Sequence, residues 1–285
     1  MQGKLFAKHW FKTGLILSGL FVAAWASPED AVDAWGLFSP RKIIFMIFAL
    51  AFIQALGFIM RRTLGARGGA ILGGFIGGLI SSTATTAALA KGSAEGSAPA
   101  PATGNLMFLS ATLAMLLEAL AITIFGTAQV HASLFVIFAG PVTVTLLILF
   151  FQARHAANHA AHTEDAGLEI LPILKLSAFV IGILTLSKVL QKFFGQSGLL
   201  VLTFLVSLFE IHGSVIANVQ LHDTGAVTVP QLGNLLAISI AASYLSKLFL
   251  VFTLGATALK RTVARSTAAL FLSLAASWLL FEYVT

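Results

Sequence analysis

Long apolar stretches alternate with short polar ones along the whole chain. They lie at roughly 13–26, 43–60, 68–90, 106–127, 132–152, 173–191, 198–221, 232–258 and 264–284. A helix needs about 20 mostly apolar residues to cross a bilayer, and all but the first approach or exceed that length. The first, TGLILSGLFVAAWA, is short and follows Lys4, Lys8 and Lys12. It reads as a retained helix or as a signal peptide with Ala24-Trp25-Ala26 as its cleavage site. The pattern predicts an all-α polytopic membrane protein of about nine transmembrane helices. Its parts are an N-terminal helix and acidic connector (1–37), a first membrane repeat (38–152), an outer loop (153–172) and a second repeat (173–285).

Composition strengthens this reading. Hydrophobic residues make up 58% and charged residues 10%, against about a quarter charged in a soluble domain. Mean hydropathy is +0.95. A soluble enzyme and a nucleic-acid partner are thereby excluded, despite a net charge of +6. With no cysteine, disulfides and thiolate metal sites are absent as well.

Loop charges orient the chain. With nine crossings and the N-terminus inside, the inner side receives Lys4, Lys8, Lys12, Arg61, Arg62, Arg67, Lys188, Lys192, Lys260, Arg261 and Arg265. The outer side receives Arg41, Lys42, Lys91 and Arg154. Eleven against four follows the positive-inside rule and predicts a bacterial-type inner membrane, N-terminus in and C-terminus out. Treating the third span as re-entrant would invert everything after it, so the count favours a crossing there.

An offset of 129 residues lays spans two to five on spans six to nine without gaps. Four spans per unit predicts two parallel repeats after an extra N-terminal helix.

Polar residues inside spans are expensive and mark functional candidates. Span four carries Glu118, span seven Glu210 and His212, and span eight Lys247. Span three carries Ser81, Ser82, Thr83, Thr85 and Thr86. All sit near mid-span, and the offset lays Ser81-Ser82-Thr83 on Glu210-Ile211-His212. On a regular helix Glu210 and His212 would point about 200° apart. Gly213 and Ser214 suggest a local unwinding that lets both face one cavity, as broken helices do in transporters. Asn218 is close enough in sequence to join. Carboxylate and hydroxyl oxygens suit hard cations such as magnesium, and His212 suits proton transfer. Glu118 and Lys247 are expected to form a charge pair that gates the path or fixes the packing. Plain helix-bridging by the hydroxyls is the bland alternative.

Three further features stand apart. Gly65, Gly69, Gly73 and Gly77 form a small-residue face for helix packing, within the chain or in a homo-oligomer. His155, His159 and His162 follow i, i+4, i+7 spacing and would share a helix face able to hold a transition metal. The loop at 91–105 is a flexible connector of small residues.

Residues 38–91 carry a resemblance. Ser39-Pro40-Arg41-Lys42-Ile43-Ile44, then Leu64-Gly65-Ala66-Arg67-Gly68-Gly69, then the run from Gly77 to Thr86 together resemble the membrane domain of unknown function found behind MgtC/SapB domains. The likeness extends over 38–285, without the MgtC domain. That family's later acidic signature has two carboxylates where this chain has Glu210 and His212, so one carboxylate is lost. The resemblance implies transport with a loose link to magnesium. The expected function is therefore a cation transporter or channel, for magnesium or coupled to protons, with no cofactor beyond a bound cation and the lipid bilayer as its surroundings. The alternative is a non-transporting regulatory or assembly subunit. An enzyme is not expected.

Overall fold

In a computed structural model, residues 2–28, 40–45, 47–49, 51–52, 55, 69–98, 100–129, 131–153, 182, 186, 195 and 197–285 are described. Among them every regular element is helical: α1 (Gln2–Ala26), α2 (Gly69–Ala94), α3 (Pro101–Gly126), α4 (Ala132–Ala153), α5 (Ser197–Ser207), α6 (Ile211–Asp223), α7 (Val229–Leu254) and α8 (Thr257–Val284). Described residues at 40–45 and 47–49 are helical too. Five helices, α2, α3, α4, α7 and α8, are long and apolar enough to cross a membrane. Half of the span expected at 43–60 and nearly all of that at 173–191 lie outside the described residues, as do Gly65 and the three histidines of the 153–172 loop.

Local chemistry sets the boundaries. α3 opens on Pro101, whose missing N–H costs nothing in a first turn. α7 opens with a capping box: Gln231 Oε1 accepts from Thr228 N at 2.8 Å, and Gln231 N donates to Thr228 Oγ1 at 3.5 Å. α6 ends at Gly225, whose φ of +77° is the left-handed conformation that glycine supplies at helix ends.

Two expected spans are not straight rods. Ser81 adopts extended backbone (φ −168°, ψ 104°) in the middle of α2. A methyl group on Gly77 would stand 2.8 Å from Thr85 Oγ1, although a straight helix separates these positions by about 12 Å. A methyl on Gly104 of α3 would lie 3.5 Å from Leu89, while Gly74 packs on Met107 only three residues further along α3. Residues 74 and 89 therefore sit at nearly one level, where a straight helix would part them by about 22 Å. α2 is a helical hairpin, with arms 69–80 and 82–94. The seventh expected span is likewise divided, into α5 and α6. Thr203 Oγ1 reaches Asn218 Oδ1 at 3.2 Å, so these two helices also fold back on each other.

The chain forms two compact units. One comprises Met1–Leu56, Ala121–Val130 and Asp165–Ser239; the other comprises Gly57–Leu120, His131–Glu164 and Ile240–Thr285. In the second unit the first arm of α2 lies along α3. Methyl groups on Gly78 would meet Ala111 O at 2.7 Å and Ala114 Cβ at 2.9 Å, so only glycine permits this approach. The contact runs through Gly74 and Gly78, one residue on from the expected Gly69-Gly73-Gly77 series, and it is internal to the chain. α4 packs on α8, where Gly140 N donates to Ser277 Oγ at 2.9 Å.

Candidate functional site

The break between α5 and α6 is built from the chain upward. Val206 O accepts from Phe209 N at 3.0 Å and Glu210 N at 2.9 Å, closing the end of α5. Glu210 then turns extended (φ −149°, ψ 101°) and becomes the N-cap of α6. Its Oε1 accepts from His212 N at 3.0 Å and lies 2.9 Å from His212 Nδ1. A carboxylate here satisfies a first-turn N–H and faces the positive end of the helix dipole. The break thus brings together two side chains that a regular helix would send apart. It comes before Gly213 rather than at it, and Gly213 itself is buried inside α6. The Glu210 side chain is 40% exposed and that of His212 10%.

Asn218 lies one face along α6. Besides Thr203, it meets Ser239 of α7, with Nδ2 donating to Ser239 Oγ at 3.5 Å. Ser239 Oγ is also 3.4 Å from Ser214 Oγ. Thr203 and Ser239 had no signal in the sequence beyond being lone hydroxyls in apolar spans, and Ser214 was read only as part of a local unwinding.

In the second unit, Ser81 Oγ accepts from Ala84 N at 3.2 Å and so caps the returning arm of α2. The five hydroxyls do not act as one group. Thr86 Oγ1 donates to Ser82 O at 2.8 Å along its own helix, and Thr85 packs towards Gly77. Ser82 and Thr86 are buried; Thr83 and Thr85 are half-buried. Since Gly78 stands beside Ala111 and Ala114, the hairpin tip reaches the level of Met115 to Glu118 on α3. Lys247 arrives at that level from α7. Its Nζ donates to Ser243 Oγ at 2.6 Å and Met115 Sδ at 3.0 Å. Met115 and Glu118 are three apart on one helix face, so Lys247 lies against the turn that carries Glu118. Both charged residues are buried, at 0% and 1% exposure.

Two polar ties fix the hairpin ends. Ser93 Oγ accepts from Ala256 N at 2.9 Å in the second unit. In the first, Asp223 Oδ1 accepts from Ala128 N at 2.8 Å, and its Oδ2 pairs with Lys42. Arg41 beside it donates to Ser27 O at 2.9 Å and Trp25 O at 3.1 Å, holding the end of α1. Lys42 carried only a loop-charge signal in the sequence, and nothing there pointed to its pairing with Asp223.

Among the described residues no three of His, Asp and Glu come together as a metal ion would require. Residues 49–255 match the family described as a domain of unknown function (DUF4010). No curated protein and no solved structure matches the chain.

Proposed function

The chain belongs to the DUF4010 family, and on that premise we propose that it moves a cation across a bacterial-type inner membrane. The observation that carries this reading is the pair of helical hairpins broken at Ser81 and Glu210, which stand 129 residues apart, the offset of the internal repeat. Discontinuous helices in equivalent positions of two repeats are how transporters build ion sites. Glu210 and His212 bind or relay the cation. The Ser81 tip with Ser82 forms the corresponding part of the first repeat, and Glu118 with Lys247 forms a charge pair beside it.

The hairpins also suggest a different topology from nine crossings. If both are re-entrant, the chain crosses seven times, and each repeat has three crossings and one hairpin. Three is odd, so the repeats are inverted rather than parallel. The basic residues then exchange in pairs: Lys91 and Arg154 move inside, while Lys188 and Lys192 move outside. The balance stays at eleven against four, with the N-terminus still inside and the C-terminus outside. The outer-side ends are then tied by Asp223, which joins Lys42 to Ala128.

The likeness to the MgtC/SapB-associated membrane domain makes magnesium one cargo to test, beside protons and alkali ions. The non-transporting reading draws support from hydroxyls that bond along their own helix, as Thr86 does. Flux in proteoliposomes separates the two. Wild type should carry one of these ions, and Glu210→Gln should lower the rate about 10- to 100-fold, the loss of a charge-assisted hydrogen bond worth about 1.5–3 kcal/mol. No flux of any of them under any gradient would favour the regulatory subunit.

A further inference from the structure

The strongest unassigned feature lies between the two arms of the second hairpin. Thr203 and Ser207 are one turn apart on α5, so they share a face; Ser214 and Asn218 do the same on α6. Ser239 of α7 completes the group. All five are at least 97% buried. Their mutual contacts are long: 3.2 Å from Thr203 to Asn218, 3.5 Å from Asn218 to Ser239 and 3.4 Å from Ser214 to Ser239. The Ser207 hydroxyl, 2% exposed, has no hydrogen-bond partner among the described residues. A buried hydroxyl left unsatisfied is costly, and a cluster that fails to satisfy itself has spare oxygen lone pairs to offer.

We propose that Thr203, Ser207, Ser214, Asn218 and Ser239 form a binding site for a monovalent alkali cation. Three arguments lead there. The site offers neutral oxygens and no carboxylate, which suits one positive charge; a divalent ion calls for carboxylates to offset its charge and its lost hydration. Oxygens around an ion at about 2.4 Å stand roughly 3.4 Å apart when at right angles, close to the two oxygen–oxygen spacings here, 3.2 Å from Thr203 Oγ1 to Asn218 Oδ1 and 3.4 Å from Ser214 Oγ to Ser239 Oγ. Ser207 is the last residue of α5, so the negative end of that helix's dipole faces the group. Glu210, three residues on, instead caps the positive end of α6. The hairpin thus separates a neutral cation cradle from an acid–imidazole pair. As the coupling or cargo ion of a transporter this rests on the function proposed above; binding itself does not.

The test is thermal unfolding of the purified full-length protein in NaCl, KCl and N-methylglucamine chloride at equal ionic strength. Ligand binding to the folded state raises the melting temperature saturably. One alkali salt should do so where N-methylglucamine does not. Ser207→Ala and Thr203→Val should each raise the half-saturating concentration at least about tenfold, read against each variant's own melting in N-methylglucamine. Asn218→Asp, which adds a carboxylate, should shift the stabilisation towards calcium or magnesium. Equal melting in all three salts, or a Ser207→Ala variant that saturates like wild type, overturns the site; a buried water in its place would give that result. The two proposals fail separately. Alkali stabilisation with no flux sinks transport alone, whereas flux that ignores Ser207→Ala and Thr203→Val sinks the cation cradle alone.

Discussion

The two hairpins make corresponding contacts with different chemistry. At the breaks, a side-chain oxygen accepts from a backbone N–H of the returning helix: Ser81 from Ala84 in the first, Glu210 from His212 in the second. At the far ends, an oxygen accepts from the N–H of a helix–helix turn: Ser93 from Ala256, Asp223 from Ala128. The first hairpin uses hydroxyls at both places and the second uses carboxylates. Ser81 and Glu210 differ by 129 residues, and Ser93 and Asp223 by 130. The contacts are reciprocal as well, since each hairpin end binds a turn from the half of the chain that holds the other hairpin. A two-fold relation between the proposed repeats would produce reciprocity of this kind. The two hairpins share the extended break, and the carboxylates belong to the second alone. The second hairpin is therefore the place to look for ion chemistry, and the first reads as the better-packed scaffold.

The largest expected effect concerns the relation between the copies. The chain has no cysteine, so single substitutions report sidedness directly. Glu95→Cys follows the first hairpin and Gln129→Cys sits in the turn after α3; both positions are exposed. Inverted repeats put position 95 inside and position 129 outside, and nine straight crossings put them the other way round. An impermeant thiol reagent applied to right-side-out vesicles should label the Gln129→Cys variant fully and the Glu95→Cys variant not at all. The opposite pattern would remove the re-entrant hairpins.

Packing of the first hairpin gives the next largest effect. Gly78→Val would drive a side chain into Ala111 and Ala114, with a cost of about 3 kcal/mol or more. Gly14→Ala in α1, where a methyl meets nothing within 4 Å, should be neutral or stabilising by about 0.5–1 kcal/mol. Melting of the two variants in detergent checks the contrast. A smaller effect is expected at the second hairpin's end. Asp223→Asn keeps an acceptor for Ala128 N but loses the charge facing Lys42, and should cost about 1–2 kcal/mol, lessened at high salt.

Much of this was legible in the sequence. Apolar lengths located both ends of α3, α4, α7 and α8 to within seven residues. The crowding of Glu210, His212 and Gly213 foretold a break near that point, although the cap at Glu210, not the glycine, sets its position. The proposed re-entrance has no signature in the loop charges, because their balance is the same for seven crossings as for nine. Ser81 gave no warning either: a serine is no helix breaker, and only the 129-residue offset links it to Glu210. The face that meets α3 was not legible, because every position in Gly73-Gly74 and Gly77-Gly78 is glycine; Gly74 and Gly78 take that contact, while Gly77 packs towards Thr85. Thr203 and Ser239 were invisible for a different reason. A single hydroxyl in an apolar span usually bonds to its own backbone, and only tertiary folding turned these two towards Asn218.

The smallest expected effect is the one that best separates the two breaks. If Ser81 is a cap and nothing more, Ser81→Ala should cost about 1 kcal/mol and Ser81→Gly only a few tenths, because glycine tolerates the N-cap position nearly as well as serine. Flux should fall no further than that loss of stability explains. Glu210 makes the same bond, yet Glu210→Gln retains an oxygen acceptor for His212 N, so its cap is largely preserved while its charge is gone. Stability and transport should therefore part company at the two positions: stability moves at Ser81, transport at Glu210. A Ser81→Ala variant that melts within about 1 kcal/mol of wild type but loses flux as deeply as Glu210→Gln would mean that the hydroxyl of the first hairpin serves transport in its own right and is more than a cap.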